Sequence, residues 1–205
     1  MDIKNWFSNF VGSTSLNNID NKKLKKYCQN LKESHPGRII SNYKGWQSEN
    51  LNLQSPIIKN LVSEIEKELS PFKKILDLKE KFTFKVISIW ANINTMRDFN
   101  IPHIHTFSML SGVYYVSASK HSGDLRFLNP NLFSFGYLRN ESEIFKKYNM
   151  YNCNNVFSKP ENSKLVIFPS HLLHYVLPNH TKKDRISLSF NCDILENVGH
   201  TRDAR

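Results

Sequence analysis

The chain of 205 residues carries 28 Lys and Arg against 18 Asp and Glu, a formal charge of +10, with 40% hydrophobic and 12% aromatic residues. That length suits one domain with a single substantial core, and the composition excludes a repeat array, a stapled mini-protein and a disordered polyelectrolyte. Cys28, Cys153 and Cys192 lie far apart and make no C-x-x-C pair, which argues against a disulfide framework or a cysteine zinc site. No stretch approaches the roughly 20 apolar residues of a membrane span, and the start MDIKNWFSNF has an acidic second residue and no long apolar run. The expectation is a soluble, intracellular, cytoplasmic protein with no membrane partner.

The first element is a helix over 21–33. Asp20 caps it, and Leu24, Tyr27, Cys28 and Leu31 fall at i, i+3, i+4 and i+7 while lysines take the other face. His35-Pro36-Gly37 ends it. Ser41-Asn42-Tyr43-Lys44-Gly45-Trp46-Gln47-Ser48 reads as a polar, aromatic loop that neither period explains. Ser55-Pro56 then opens a second helix, whose apolar stripe Ile57, Ile58, Leu61, Val62, Ile65 and Leu69 runs to Ser70-Pro71.

From residue 82 the period becomes two. Phe82, Phe84, Val86, Ser88 and Trp90 alternate with Thr83, Lys85, Ile87, Ile89 and Ala91. Further β-rich runs are Val113 to Val116, Leu125 to Leu128, Leu165 to Phe168, Leu172 to Val176 and Ile186 to Phe190, separated by turn residues such as Ser122-Gly123-Asp124, Pro169-Ser170 and Pro178-Asn179. Strand after strand without intervening helices predicts a mainly β, antiparallel sandwich or barrel with flanking helices outside it. Residues 131–160 are long, Asn-rich and aromatic, with a short helix predicted near Glu141 to Tyr148; a loop of that length serves as a lid or is disordered.

Among the eight histidines, His35, His121, His171, His180 and His200 have no evident partner and read as surface or loop residues. His103-Ile104-His105 differs, because i and i+2 on a strand share a face, so both imidazoles can converge on one metal ion. His174, in a late β-run, supplies a third. If the chain turns over Pro178 to Lys183 and returns antiparallel, Arg185 and Ser187 lie on the strand beside His174 and form a fork with a neighbouring hydroxyl, a receptor for a carboxylate.

The order of H-x-H, Ser111-Gly112-Val113-Tyr114-Tyr115-Val116, Gly123-Asp124-Leu125-Arg126-Phe127, Phe168-Pro169-Ser170 with His174, and Arg185-Ile186-Ser187-Leu188-Ser189-Phe190-Asn191 resembles the iron(II)- and 2-oxoglutarate-dependent oxygenases. More narrowly it is similar to a bacterial and phage group within them that also carries Ser41-Asn42…Gly45-Trp46-Gln47-Ser48 and Trp90-Ala91-Asn92. The resemblance covers about residues 40–192. It implies a double-stranded β-helix, the jelly-roll or cupin-like barrel, in one oxygenase-like domain over 1–205, with 1–80 as helical support, 82–193 as the barrel core and 131–160 as its long loop. It further implies Fe(II) as cofactor, 2-oxoglutarate as cosubstrate and O2 as oxidant, with succinate and CO2 released as a substrate is oxidised, hydroxylation being the expected outcome.

Carried over residue by residue, His174 is the distal iron ligand, Arg185 the partner of the 2-oxoglutarate C5 carboxylate with Ser187 assisting, and Tyr115 a hydroxyl on that carboxylate. Asn92 and Asn94 share a face and are candidates to hydrogen-bond the cosubstrate or orient a ligand. The superfamily's first motif is usually H-x-D or H-x-E, and here His105 holds the carboxylate position. Three ligand sets stay open: His103, His105 and His174 together; one of His103 and His105 with His174 and water or another ligand; or a carboxylate from elsewhere, with Asp124 the nearest. Loop 131–160, with Phe133, Phe135, Tyr137, Tyr148 and Tyr151, is the expected place for substrate and closure. The net charge makes an acidic protein segment or a nucleic acid a reasonable substrate, and a homodimer is compatible. A cupin-like three-His metalloenzyme without 2-oxoglutarate and a non-catalytic basic binding module are the readings from other classes.

Overall fold

The structure, a computed structural model, describes residues 1–2, 8–130 and 145–197. In chain order its elements are β1 (Gly12–Ser15), α1 (Asn21–Ser34), β2 (Asn42–Tyr43), β3 (Trp46–Gln47), α2 (Pro56–Lys67), α3 (Ser70–Ile75), β4 (Phe82–Asn94), β5 (Phe99–His103), β6 (Leu110–Ser117), β7 (Leu125–Leu128), β8 (Asn155–Ser158), β9 (Lys164–Pro169), β10 (His174–Val176) and β11 (Arg185–Glu196). Two antiparallel sheets face each other, one ordered β1-β9-β6-β11-β4-β3 and the other β2-β5-β10-β7-β8.

Local chemistry sets the helices. Asp20 accepts from the backbone N–H groups of Lys22 and Lys23 at 3.1 Å each, satisfying donors that the first turn of α1 leaves open. Ser55 stands at the N-cap of α2 but does not cap it with its side chain: its hydroxyl donates to Asn52 O at 2.9 Å, and Pro56 starts the helix. The apolar stripe predicted up to residue 69 is split, because Ser70-Pro71 opens α3 as well as ending the preceding turn. Leu24 and Cys28 of α1 and Ile58, Leu61 and Ile65 of α2 are buried against Phe84, Val86, Ile89, Ala91, Ile93, Leu188 and Phe190 on the outer face of the six-stranded sheet. A smaller cluster, Tyr115, Leu125, Phe127, Val166, Phe168 and Leu172, fills part of the space between the sheets.

Three departures from the predicted pattern position the interior. The segment expected to be a loop at 41–48 forms β2 on β5 and β3 on β4, tying one edge of each sheet to the other. In β4 the strict alternation breaks. Between Asn191↔Ser88 and Cys192↔Val86, β4 advances two residues and β11 one, so the exposed Ile87 is a bulge. Beyond it the phase is reset, with Ile89, Ala91 and Ile93 on the helix side and Ser88, Trp90 and Asn92 on the inner side. β10 and β11 also belong to different sheets, so Arg185 and Ser187 lie across the interior from His174 and not on the strand beside it. The connection from residue 177 to 184 passes between sheets instead of closing a hairpin.

Of the long loop predicted at 131–160, residues 131–144 lie outside the described residues, and with them Phe133, Phe135, Tyr137 and the first half of the helix expected near Glu141 to Tyr148; its second half, residues 145–148, is not helical. Its end forms β8, paired to β7. Tyr148 and Tyr151 are exposed and do not line the interior cavity described below. Among the described residues no helix is long and apolar enough to cross a membrane.

Candidate metal and cosubstrate site

β11 presents Arg185, Ser187, Ser189 and Asn191 along one side of a cavity of about 340 Å3 between the sheets. Every second residue faces inward, so this strand carries a guanidinium at one end and an amide about 20 Å along at the other. The register sets a row across neighbouring strands, because Ser187 pairs with Tyr115 on β6 and with Asn92 on β4, and Asn92 pairs with Gln47 on β3. All four line the cavity. Asn94, opposite Arg185 in the register, is fully buried against Gly45 and is not among the lining residues.

The facing wall brings the three histidines together. β10 pairs with β5 so that His174 stands opposite His103. Between that pair and Val176↔Asn100, β5 advances three residues against two, a bulge at Ile101-Pro102 that turns both Asn100 and His103 inward. His105 lies past the end of β5, where its N–H donates to Ser170 O at 3.0 Å. Its convergence with His103 therefore comes from this turn and not from a shared strand. The ring centroids of His174 are 4.3 Å from those of His103 and 5.0 Å from those of His105, and one nitrogen from each imidazole lies within 4.8 Å of the other two.

Each ring is held by its Nδ1. His103 Nδ1 is 2.7 Å from Ile101 O, His174 Nδ1 is 2.8 Å from Leu172 O, and His105 Nδ1 is 2.6 Å from Asn191 Oδ1. An oxygen acceptor at Nδ1 selects the Nδ1–H tautomer and leaves the Nε2 lone pair free, which is how metal-ligating histidines are oriented. Burial pushes His105 down to about 4 and His174 down to about 3, with the neighbouring imidazoles adding to the fall, and it lowers His103 too. All three are neutral at pH 7, as ligation requires. Phe168 stacks edge-on at 4.7 Å against His174 and Trp90 lies 5.6 Å from His105. Three neutral imidazoles with free Nε2 atoms fit a divalent transition metal such as iron. No carboxylate joins this group among the described residues, and Asp124 sits apart from it.

These depressed values fix a pH response of the metal-free protein. The unfolded histidines bind protons near 6.5 while the folded ones resist, so stability is complete above about 6.5 and falls as pH drops toward 4, by at most about 1.4 kcal/mol per pH unit per group. Melting of the metal-free protein from pH 7.5 to 4.5 should therefore show a falling midpoint, and the fall should flatten when His105 and His174 are both replaced by glutamine. An unchanged slope in that double variant would contradict the assignment.

Arg185 is 2% exposed. Its Nη1 donates to Ser122 O at 2.6 Å and more weakly to Gly123 O and Leu177 O, and no carboxylate pairs with it among the described residues. Burial lowers its pKa, opposed by Tyr115 and by Asp98, which is itself fixed by Thr95. A buried guanidinium with backbone carbonyls on one nitrogen and a cavity beside the others fits a carboxylate ligand. Tyr115, pushed up to about 12 by burial, keeps its hydroxyl proton as a donor to the same region. Sequence reasoning named Asn191, Ser111, Trp90 and Gly123 only as parts of longer motifs, with no role in the site, and did not name Asp98. Asn191 was within reach, since it follows Arg185 at an even spacing on the same strand.

A family model described as "Putative 2OG-Fe(II) oxygenase" matches residues 88–191, just over half of the chain, from within β4 to within β11. The chain belongs to this family. It is a 2-oxoglutarate- and Fe(II)-dependent oxygenase, an oxidoreductase on a jelly-roll barrel, and His103, His105, His174 and Arg185 all lie inside the matched segment. No curated protein matches the chain. Solved structures agree in fold. A prolyl-4-hydroxylase from Pseudomonas putida is 15% identical with a TM-score of 0.60 over 90% of this chain and 93% of its own. HygX from Streptomyces hygroscopicus, with nickel and 2-oxoglutarate bound, is 12% identical with a TM-score of 0.58 over 89% and 82%. A viral collagen prolyl hydroxylase from Paramecium Bursaria Chlorella virus-1 is 12% identical with a TM-score of 0.52 over 89% and 94%.

Proposed function

We propose that His103, His105 and His174 hold Fe(II) without a carboxylate, that Arg185 holds the far carboxylate of 2-oxoglutarate with Ser187 and Tyr115, and that the chain acts as one catalytic domain hydroxylating an organic substrate. The observation that carries this reading is the juxtaposition in one cavity of three imidazoles with their Nε2 atoms available and a buried arginine with no carboxylate partner among the described residues. Iron, when bound, supplies the activation of O2 that couples decarboxylation of 2-oxoglutarate, to succinate and CO2, to oxidation of the substrate.

The chain's own residues bind, orient and exclude water. Ile101 O, Leu172 O and Asn191 Oδ1 keep the imidazoles turned inward. The carbonyls of Ser122, Gly123 and Leu177 anchor one side of the guanidinium, so its remaining donors need no reorganisation to meet a carboxylate. Asn92, fixed by its donation to Ser189 Oγ at 3.0 Å, adds an amide to the polar wall of the cavity, and Asn94 stands opposite Arg185 on the neighbouring strand. Leu125 and Phe168 give the cavity an apolar flank backed by Phe127, which limits water there. Two of the similar solved structures are named prolyl hydroxylases, which supports hydroxylation, while two others are named an epimerase and a carbocyclase. The charge of +10 favours a substrate with acidic groups, an acidic protein segment or a nucleic acid.

Succinate formation from 2-oxoglutarate, followed in air with added Fe(II) and no further substrate, tests the reading. Slow turnover is expected in the wild type and none in His103→Ala. Equal succinate from both proteins would contradict it.

A further inference from the structure

We infer that Asn191 is the positioning residue that lets a histidine serve at position 105, acting with a buried row of serine hydroxyls. The inference rests on the metal-binding reading above. The other two imidazoles lean on backbone carbonyls, Ile101 O and Leu172 O, which no substitution at those positions removes. His105 alone is oriented by a side chain.

The hydroxyl row has a direction. Ser108 Oγ donates to Ser170 Oγ at 2.9 Å, and Ser170 and Ser111 share a hydrogen bond of 2.7 Å. Ser111 donates to Asn191 Oδ1 at 2.9 Å, which leaves its own oxygen to accept from Ser170. Asn191 Oδ1 thus receives both the Ser111 proton and the His105 Nδ1 proton. Ser111 Oγ is also 2.9 Å from His105 Nδ1, but its proton is committed to the amide, so nothing on this side protonates the ring nitrogen in competition.

Burial enforces the arrangement. Ser111 and Ser170 are 0% and 1% exposed, so water cannot replace a lost partner and any other orientation strands a polar group. The sheet register makes the cluster, with Asn191 paired to Ser111 and Ser111 paired to Phe168, two residues before Ser170. The result is a fixed Nδ1–H tautomer with Nε2 turned toward His103 and His174.

A double-mutant cycle of metal affinity tests this. Metal-free wild type, Asn191→Ala, Asn191→Asp, His105→Ala and the Asn191→Ala/His105→Ala double variant are titrated with Co(II), and the visible ligand-field spectrum is recorded at saturation. Asn191→Ala is expected to weaken Co(II) binding by about 10–100-fold. Asn191→Asp, which keeps an acceptor, should stay close to wild type, and in the His105→Ala background the Asn191→Ala change should alter affinity by less than about twofold. The spectrum of Asn191→Ala should move toward that of His105→Ala, which a merely structural loss would not produce. Should Asn191→Ala fail to fold, Ser111→Ala is expected to weaken binding in the same direction by a smaller factor. Equal penalties for Asn191→Ala in both backgrounds, or an unchanged spectrum, overturn the inference and leave the metal site standing. No Co(II) binding by the wild type overturns both.

Discussion

Replacing His174 by alanine is expected to lower Fe(II) affinity by more than the 10–100-fold that partners of a ligand contribute, and to abolish succinate formation. His174 is the most enclosed of the three imidazoles, 4% exposed, and the one to which both other rings are closest, at 4.3 and 5.0 Å. It is also the only one contributed by β10; without it, the two ligands left come from a single three-residue stretch of chain. The folding penalty should be modest at pH 7, because the lost ring leaves a small void beside Phe127 and Phe168 worth about 1–3 kcal/mol. Metal titration paired with melting of the metal-free protein separates the two effects. Affinity within tenfold of wild type would remove His174 from the ligand set.

Arg185→Ala should weaken 2-oxoglutarate binding severely while metal binding persists. Two charge-assisted hydrogen bonds of about 1.5–3 kcal/mol each correspond to a loss of roughly 10²- to 10⁴-fold. Arg185→Lys keeps the charge but not the planar fork and should recover little of that loss. Gly123→Ala approaches the same site from behind. Gly123 has φ +101, and a Cβ there would meet Leu177 O and come within 2.5 Å of Arg185 Nη1. A side chain at that position must displace the carbonyl cage, so the variant should weaken 2-oxoglutarate binding in the same direction with its metal affinity intact. Calorimetric titration of the metal-loaded variants checks this, and wild-type 2-oxoglutarate affinity in Arg185→Ala would exclude the carboxylate role.

The barrel was legible where its strands are long enough to show a period. β7 falls where Leu125 to Leu128 predicted it, and the runs at 165–168 and 186–190 lie within β9 and β11. β2 and β3 were not legible, since two-residue strands show no alternation and owe their conformation to pairing with β5 and β4. The bulge at Ile87 escaped because Ile87 and Ile89 are both apolar and suit either phase. The placement of Arg185 beside His174 failed for a different reason. A connection of eight residues can close a hairpin or cross between sheets, and spacing alone does not distinguish the two. The interior period of β11 nevertheless held, so Arg185 and Ser187 reached the predicted cavity by another route. The convergence of His103 and His105 was likewise foreseen, although it is made by a bulge at Ile101-Pro102 and a turn beyond β5.

The central claim is that one cavity joins a carboxylate-free iron site to a 2-oxoglutarate receptor. Anaerobic titration of the Fe(II)-loaded protein with 2-oxoglutarate tests it most directly, by the visible charge-transfer absorption that keto-acid chelation of non-haem iron produces. The account predicts a saturable band in the wild type that is lost in His105→Ala and requires far more 2-oxoglutarate in Arg185→Ala. Iron binding with no band at any 2-oxoglutarate concentration would contradict it.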